Sequence, residues 1–246
     1  MRFDNRTLEH LRGQAFSNAL QVRVAGGDDT PDRVSLLVEL CRGQRVIDLG
    51  FADHPELIDA KVEAGVWLHA ALAGAADRCL GIDISEAGVA HARALGYADV
   101  VRANIAGEEI PEIADSDWDL MVMGELLEHV NNPVDFLDAI RVRYGSRIPR
   151  IVITVPNAFS ARNLFGAIRG REVVNSDHRY WFTPYTLAKV LSMAGFAPEW
   201  FAYCESFPYA ATTGTARRLR RRLGAATTRH LPTLRPGLVM AATSGV

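Results

Sequence analysis

The chain is short of cysteine, of net charge and of long apolar runs, and each shortage removes a class of protein. Its 246 residues include three cysteines, Cys41, Cys79 and Cys204. An odd count without metal-ligand spacing excludes a disulfide framework and a cysteine-bound zinc centre, and predicts reduced structural thiols in a cytoplasmic protein. Lys and Arg number 27 against 29 Asp and Glu, a net charge of −2, so no global field draws the chain to nucleic acid or to an anionic membrane. No apolar stretch approaches the roughly 20 residues of a membrane span. The charged start MRFDNRTLEH does not read as a secretory signal. The G-x-G-x-x-G fingerprint of nicotinamide-binding sheets is missing as well, as are internal repeats and low-complexity linkers.

A hydrophobic content of 48% is ample for one α/β domain of this length. Short apolar runs predict strands at 45–50, 79–84, 98–103, 118–123, 150–156, about 197–203 and 237–243. Helical patterns fall between them. One runs from the cap Thr30-Pro31-Asp32 to about Cys41, with Pro at the first helical position. Residues 55–78 read as two helical pieces interrupted at Gly65. Ser85 caps a helix through Leu95 that Gly96 ends. Another helix follows Pro133, and Thr183-Pro184 opens one whose Leu187, Val190, Leu191 and Ala194 face the sheet. Seven strands interleaved with helices imply a doubly wound sheet. The expected organisation is a single domain over 1–246, with an N-terminal helical cap at about 1–42 and a basic insertion at about 207–236.

The most informative stretch is Arg45–His54, RVIDLGFADH: an apolar run that ends in Asp48 and Gly50, ahead of a helical segment. A buried parallel strand delivers its carboxyl end to a ligand in this way. CLGIDIS repeats the grammar at 79–85, where Asp83 suits hydrogen bonds to ribose hydroxyls. WDLMVMGELLEHV at 118–130 and IVITVPN at 151–157 complete the series.

DLGFAD, GIDIS, GELLEHV and ITVPN, in this order and at strand–helix spacing, resemble the class I S-adenosylmethionine (SAM)-dependent methyltransferases, over about residues 43–200. Within them the chain is most similar to the small-molecule O-methyltransferase branch that includes the ubiquinone-biosynthesis enzymes. The resemblance implies a Rossmann-like seven-stranded sheet with the last strand antiparallel, and SAM as cofactor. It places Asp48 beneath the methionine amino group, with Gly50 and Phe51 in the turn behind it. Asp83 would hold the ribose and Ile84 pack on adenine. Asn104, with Ile105 beside it, stands where the family usually has Asp. Gly124 and Glu125 would line the methionine and reacting end.

Two departures stand out. The family pattern D-x-G-x-G-x-G is broken, because Ala52 and His54 replace the later glycines. Asp48 and Asp83 are also further apart than one short helix and turn require. An insertion through about Gly65 is expected, with Trp67 and His69 beyond it read as core rather than site.

Removing the proton of an alcohol-like acceptor needs a base or a metal. The candidates are Glu128 and His129, in the run E-L-L-E-H, and His178 in SDHRYWFTP. The E-x-x-E-H spacing with a later His resembles the metal-binding set of certain O-methyltransferases, in the ubiquinone pathway and among small-RNA 2′-O-methylating enzymes. A metal-free general base, with Glu128 orienting an imidazole, is the favoured alternative; a divalent metal and a purely structural fastening rank behind it.

Residues 157–182 are too long and polar for a plain connection. Asn157, Asn163, Arg169, Arg171, Tyr180 and Trp181 are read as a lid suited to a sugar. Arg217, Arg218, Arg220, Arg221 and Arg222, with Arg229 beyond, read first as a solvated helix face. Their alternative partners are a phosphorylated or lipid-linked acceptor and an anionic membrane surface, with RNA last. The expected activity is methyl transfer from SAM to a hydroxyl of a small-molecule or saccharide acceptor. A non-catalytic partner-binding protein on the same fold and an N-methyltransferase are the alternatives.

Overall fold

A computed structural model describes residues 1–25, 32–205 and 231–245. Its centre is one seven-stranded sheet, β1 (Arg45–Leu49), β2 (Arg78–Asp83), β3 (Val100–Arg102), β4 (Leu120–Gly124), β5 (Arg150–Pro156), β6 (Ala197–Cys204) and β7 (Gly237–Thr243), in the order β3-β2-β1-β4-β5-β7-β6. Strands β1 to β5 pair in parallel, and β7 runs antiparallel to both β5 and β6. This is the doubly wound sheet that the strand–helix pattern predicts, with the antiparallel last strand that the resemblance implies. The order reverses at β1, where β2 lies on one side and β4 on the other. Crevices at the carboxyl ends of such strands are where open α/β sheets hold ligands.

The two-residue period of a strand divides its side chains between two cores. Ile47, Leu49, Met121, Met123, Ile151 and Ile153 face one side, against α1 (Asn5–Leu11), α7 (Pro133–Tyr144) and α9 (Pro184–Met193). Val46, Leu120, Val122, Val152 and Val239 face the other, against α2 (Arg33–Cys41) and α4 (Leu68–Ala73). Cys41, Cys79 and Cys204 are buried free thiols; burial pushes those of Cys41 and Cys204 up to about 12.

The long connection between β1 and β2 forms two pieces, α3 (Pro55–Glu63) and α4, broken where Gly65 takes a left-handed φ of +66°. It closes a third small core of Phe51, Ile58, Trp67 and Val89. Ser85 caps α5 (Glu86–Ala94), accepting from the Gly88 N–H. Thr183 and Thr186 form a reciprocal capping box at the start of α9. Asp32 is the residue that caps α2, through the Val34 and Ser35 N–H groups; Thr30 and Pro31, expected in that role, lie outside the described residues. The Arg-rich stretch and most of the basic insertion also lie outside them. Two short helices were not expected, α6 (Pro111–Ala114) and α8 (Ala161–Ile168). Among the described residues no helix is long and apolar enough to cross a membrane.

Candidate active site

The carboxyl end of β1 is built from the inside outward. Asp48 is buried on the face of β1 that α4 covers, and His69 Nδ1 lies 3.0 Å from its Oδ2. His69 is itself buried among Phe51, Trp67 and Tyr97, with ring centroids 4.6, 5.3 and 5.5 Å away. Gly81 makes room for it, since a Cβ there would come within 2.8 Å of His69 Cε1. The insertion thus delivers an imidazole to the motif carboxylate. Gly50 follows with φ +74°, and a Cβ on it would approach Leu126 Cδ1 to 2.9 Å. Backbone conformation and Leu126 therefore explain this glycine.

Asp83 ends β2, with one oxygen accepting from the Ser85 N–H and the other from the Ala52 N–H, at 2.8 and 3.0 Å. Burial raises its pKa, against the pull of those backbone donors. Ala52, the replacement for a family glycine, thus ties the first turn to the second strand, and its methyl group fills the space that Gly88 leaves. Ile84, next to Asp83, is 69% exposed. An apolar side chain standing open at a strand end is suited to the flat face of a ring. Phe51 is buried in the third core. Asn104 is exposed and its Oδ1 accepts from the Ala106 N–H, while Ile105 beside it is buried.

At the end of β4 the backbone is unusual. Glu125 has φ +59°, the one non-glycine residue with positive φ among those described, a conformation that persists where the surroundings enforce it. Its N–H donates to Thr154 O. Gly124 leaves no room for a side chain, because a Cβ would lie 2.7 Å from Leu68. The chain then turns through one 3-10 turn, Leu127–His129, which drives Glu128 inward.

Glu128 is fully buried, and among the described residues neither carboxylate oxygen has a hydrogen-bond partner. Burial pushes its pKa up to about 8, with nearby Glu125 adding to the rise. His178 Nε2 stands 3.9 Å from Glu128 Oε1, and His178 Nδ1 is buried without a partner. The His129 and His178 rings meet edge to face, 4.6 Å between centroids. Burial, and then the neighbouring His129, lower the pKa of His178. One ligand atom from each of Glu128, His129 and His178 can be chosen so that all lie within 4.8 Å of one another.

Residues 50 positions away in sequence reach this cluster because 178–182 is laced onto 128–131. Arg179 donates its backbone N–H to Glu128 O at 2.8 Å and its guanidinium to His129 O. Tyr180 Oη donates to Asn131 O at 2.6 Å. The lid reading of 157–182 needs correction at Asn157. Asn157 is buried and donates to Thr233 O and Arg235 O, fastening the end of β5. Asn163 donates to Asn157 O and Ala158 O, and the Trp181 indole to Glu172.

The structure therefore brings Glu128, His129 and His178 together, and gathers Asp48, Gly50, Asp83, Ile84, Gly124 and Glu125 at the ends of β1, β2 and β4. Two contributors escaped the sequence reading. The sequence places His69 in the core, where it lies, but its i,i+2 spacing from Trp67 gives no sign of its carboxylate partner Asp48. Arg33 on α2 is buried with its guanidinium 2.9 Å from Thr154 Oγ1; nothing in α2 marks it apart from an ordinary surface arginine.

Comparison with known proteins agrees with the fold. The profile of a family described as a methyltransferase domain matches residues 27–199, well over half of the chain. No curated protein matches the sequence. Among solved structures, magnesium protoporphyrin IX methyltransferase from Synechocystis PCC 6803, with bound S-adenosylhomocysteine (SAH), is 15% identical, aligns over 85% of this chain and 81% of its own, and has a TM-score of 0.53. A putative methyltransferase from Bacillus halodurans C-125 is 14% identical over 87% of this chain and 99% of its own, with a TM-score of 0.52. A SAM-dependent methyltransferase from Aquifex aeolicus is 14% identical over 86% and 89%, also at 0.52. At these identities the likeness establishes a shared fold.

Proposed function

This chain belongs to the methyltransferase-domain family, and from that premise we propose that it is a SAM-dependent O-methyltransferase whose acceptor hydroxyl is activated at Glu128, His129 and His178. The observation that carries the reading is the buried Glu128 carboxylate, without a hydrogen-bond partner among the described residues and 3.9 Å from His178. An ionisable group in that state is costly to keep and marks a functional site.

The first strand ends fit SAM. Asp83 offers a carboxylate of the kind that accepts from ribose hydroxyls, and Ile84 an exposed apolar surface for adenine. The Gly50 turn, Gly124 and Glu125 would hold the amino-acid end, while Asp48, fixed by His69, adds negative charge beneath a cationic group. When bound, SAM supplies an electrophilic methyl group.

The chain's own residues supply the proton chemistry. His178, its pKa lowered by burial, is the neutral base near pH 7 and takes the acceptor hydroxyl's proton on a ring nitrogen. The imidazolium so formed lies 3.9 Å from Glu128 and favours ionisation of that carboxyl, whose own proton, held up to about pH 8, then passes to solvent.

A second reading has a specific observation behind it: the close convergence of one carboxylate and two imidazoles. These are ligands that a divalent cation accepts. Glu128, His129 and His178 would hold such an ion, and the unpartnered Glu128 oxygens fit that use. The ion would lower the acceptor's pKa.

The test is methyl transfer from SAM to a panel of hydroxyl and amine acceptors, with products identified by mass. O-methylation lost in His178→Ala supports the proposal. Amine methylation alone overturns it. Loss of turnover on chelation, restored by a divalent ion, selects the metal reading over the metal-free base.

A further inference from the structure

A cavity of about 910 Å³ lies beneath α8, walled by Ala158, Phe159, Leu164, Ala167, Val173 and Trp181. It adjoins the cluster just described, because the Trp181 ring on its wall is 6.3 Å from the ring of His178. Asn163, Arg171, Glu172 and Thr233 add polar groups to a wall that is otherwise apolar, and two of its donors are engaged within the protein. The Asn163 amide nitrogen donates to Asn157 O and Ala158 O, and the Trp181 indole N–H donates to Glu172. Helix α8 over the cavity has no buried residue, and Leu164 and Phe165 are about half exposed. An eight-residue helix gains little stability alone, and so apolar a stripe is normally covered.

Resting on the O-methyltransferase reading, we propose that this cavity is the acceptor pocket and that it takes an alcohol with an extended alkyl body, its hydroxyl presented to His178. With the wall largely apolar and the Asn163 and Trp181 donors engaged, a polyhydroxylated body would leave most of its hydroxyls without partners, whereas each methylene buried against Leu164, Phe159 and Ala167 gains from leaving water. The volume lies within the range of small-molecule pockets, about 300–1,000 Å³. The occupant also completes the packing of α8.

The test is calorimetric titration of the full chain, saturated with SAH, with 1-alkanols from butanol to octanol. Burial of one methylene, about 0.8 kcal/mol, corresponds to a roughly fourfold tighter Kd per added carbon. Ala167→Trp fills the cavity from an exposed position of α8 and is expected to weaken octanol at least tenfold with SAH binding unchanged; Leu164→Gln serves if that variant fails to fold. A Kd independent of chain length, or a length dependence that survives both variants, overturns the proposal. So does self-association of the alcohol-free chain that Ala167→Trp abolishes, which would assign the groove to a second copy. Failure of SAH to bind would instead remove the methyltransferase reading beneath it, so the two failures are distinguishable.

Discussion

His69 Nδ1 lies 3.0 Å from Asp48 Oδ2, with both side chains almost wholly out of solvent. The pair joins the inserted helix α4 to the end of β1, so a residue outside the family motif holds the motif's carboxylate in place. The Ala52 N–H serves the neighbouring strand end, donating to Asp83 Oδ2. Removing one partner of a buried pair leaves the other uncompensated. His69→Ala is expected to lose roughly 3–5 kcal/mol of stability, read by urea unfolding, and to weaken SAH at least tenfold where the variant remains folded. His69→Asn, which keeps a donor, is expected to recover part of both. Unchanged SAH affinity in folded His69→Ala would separate Asp48 from the cofactor.

Glu128 makes stability depend on pH. Its folded pKa of about 8 exceeds the ordinary 4.5, so between those values the folded chain holds a proton that the unfolded chain has released. Stability is then full below 4.5 and falls as pH rises through 8, by roughly 3–6 kcal/mol. Denaturant unfolding of the chelated protein from pH 5 to 8.5 reads the slope, and Glu128→Gln is expected to flatten it. A wild-type slope that the variant leaves unaltered contradicts the buried-acid assignment.

His178 is expected to govern the acid limb of turnover. A base must be neutral to accept, and its pKa lies below the ordinary 6.5, so kcat rises with pH and levels off with a midpoint under 6.5. His178→Ala is expected to lower kcat about 10²–10⁴-fold with SAH affinity unchanged within about twofold. Steady-state rates across pH 5–8 check both.

Gly50→Ala separates backbone strain from contact. The left-handed φ of +74° costs an L-residue about 1–2 kcal/mol, and the new methyl group also meets Leu126. Leu126→Ala in the same chain is expected to relieve the contact and leave the backbone cost, as a double-mutant cycle of unfolding energies would show.

Much of this architecture was written in local signals. The β1 and β2 runs alternate between two cores, Ser85 and Thr183 cap their helices, and Gly65 and Gly96 take the positive φ values that end helical pieces. Those features depend on neighbours within a few residues, so periodicity and turn chemistry reveal them. What stayed hidden depends on long-range placement. Glu128 and His178 meet only because Arg179 and Tyr180 are tied to 128–131, and His69 reaches Asp48 only because Gly81 leaves room. Asn157 looked like a substrate contact because an amide in a polar loop has the same appearance whether it faces a ligand or fastens a strand end.

Titration of the purified chain with SAH, with NAD as control, tests the central claim most directly. Saturable calorimetric binding of SAH and none of NAD is the predicted result. Failure of folded protein to bind SAH would contradict the account, and would mean that the altered turn at Ala52 and His54 no longer holds the cofactor.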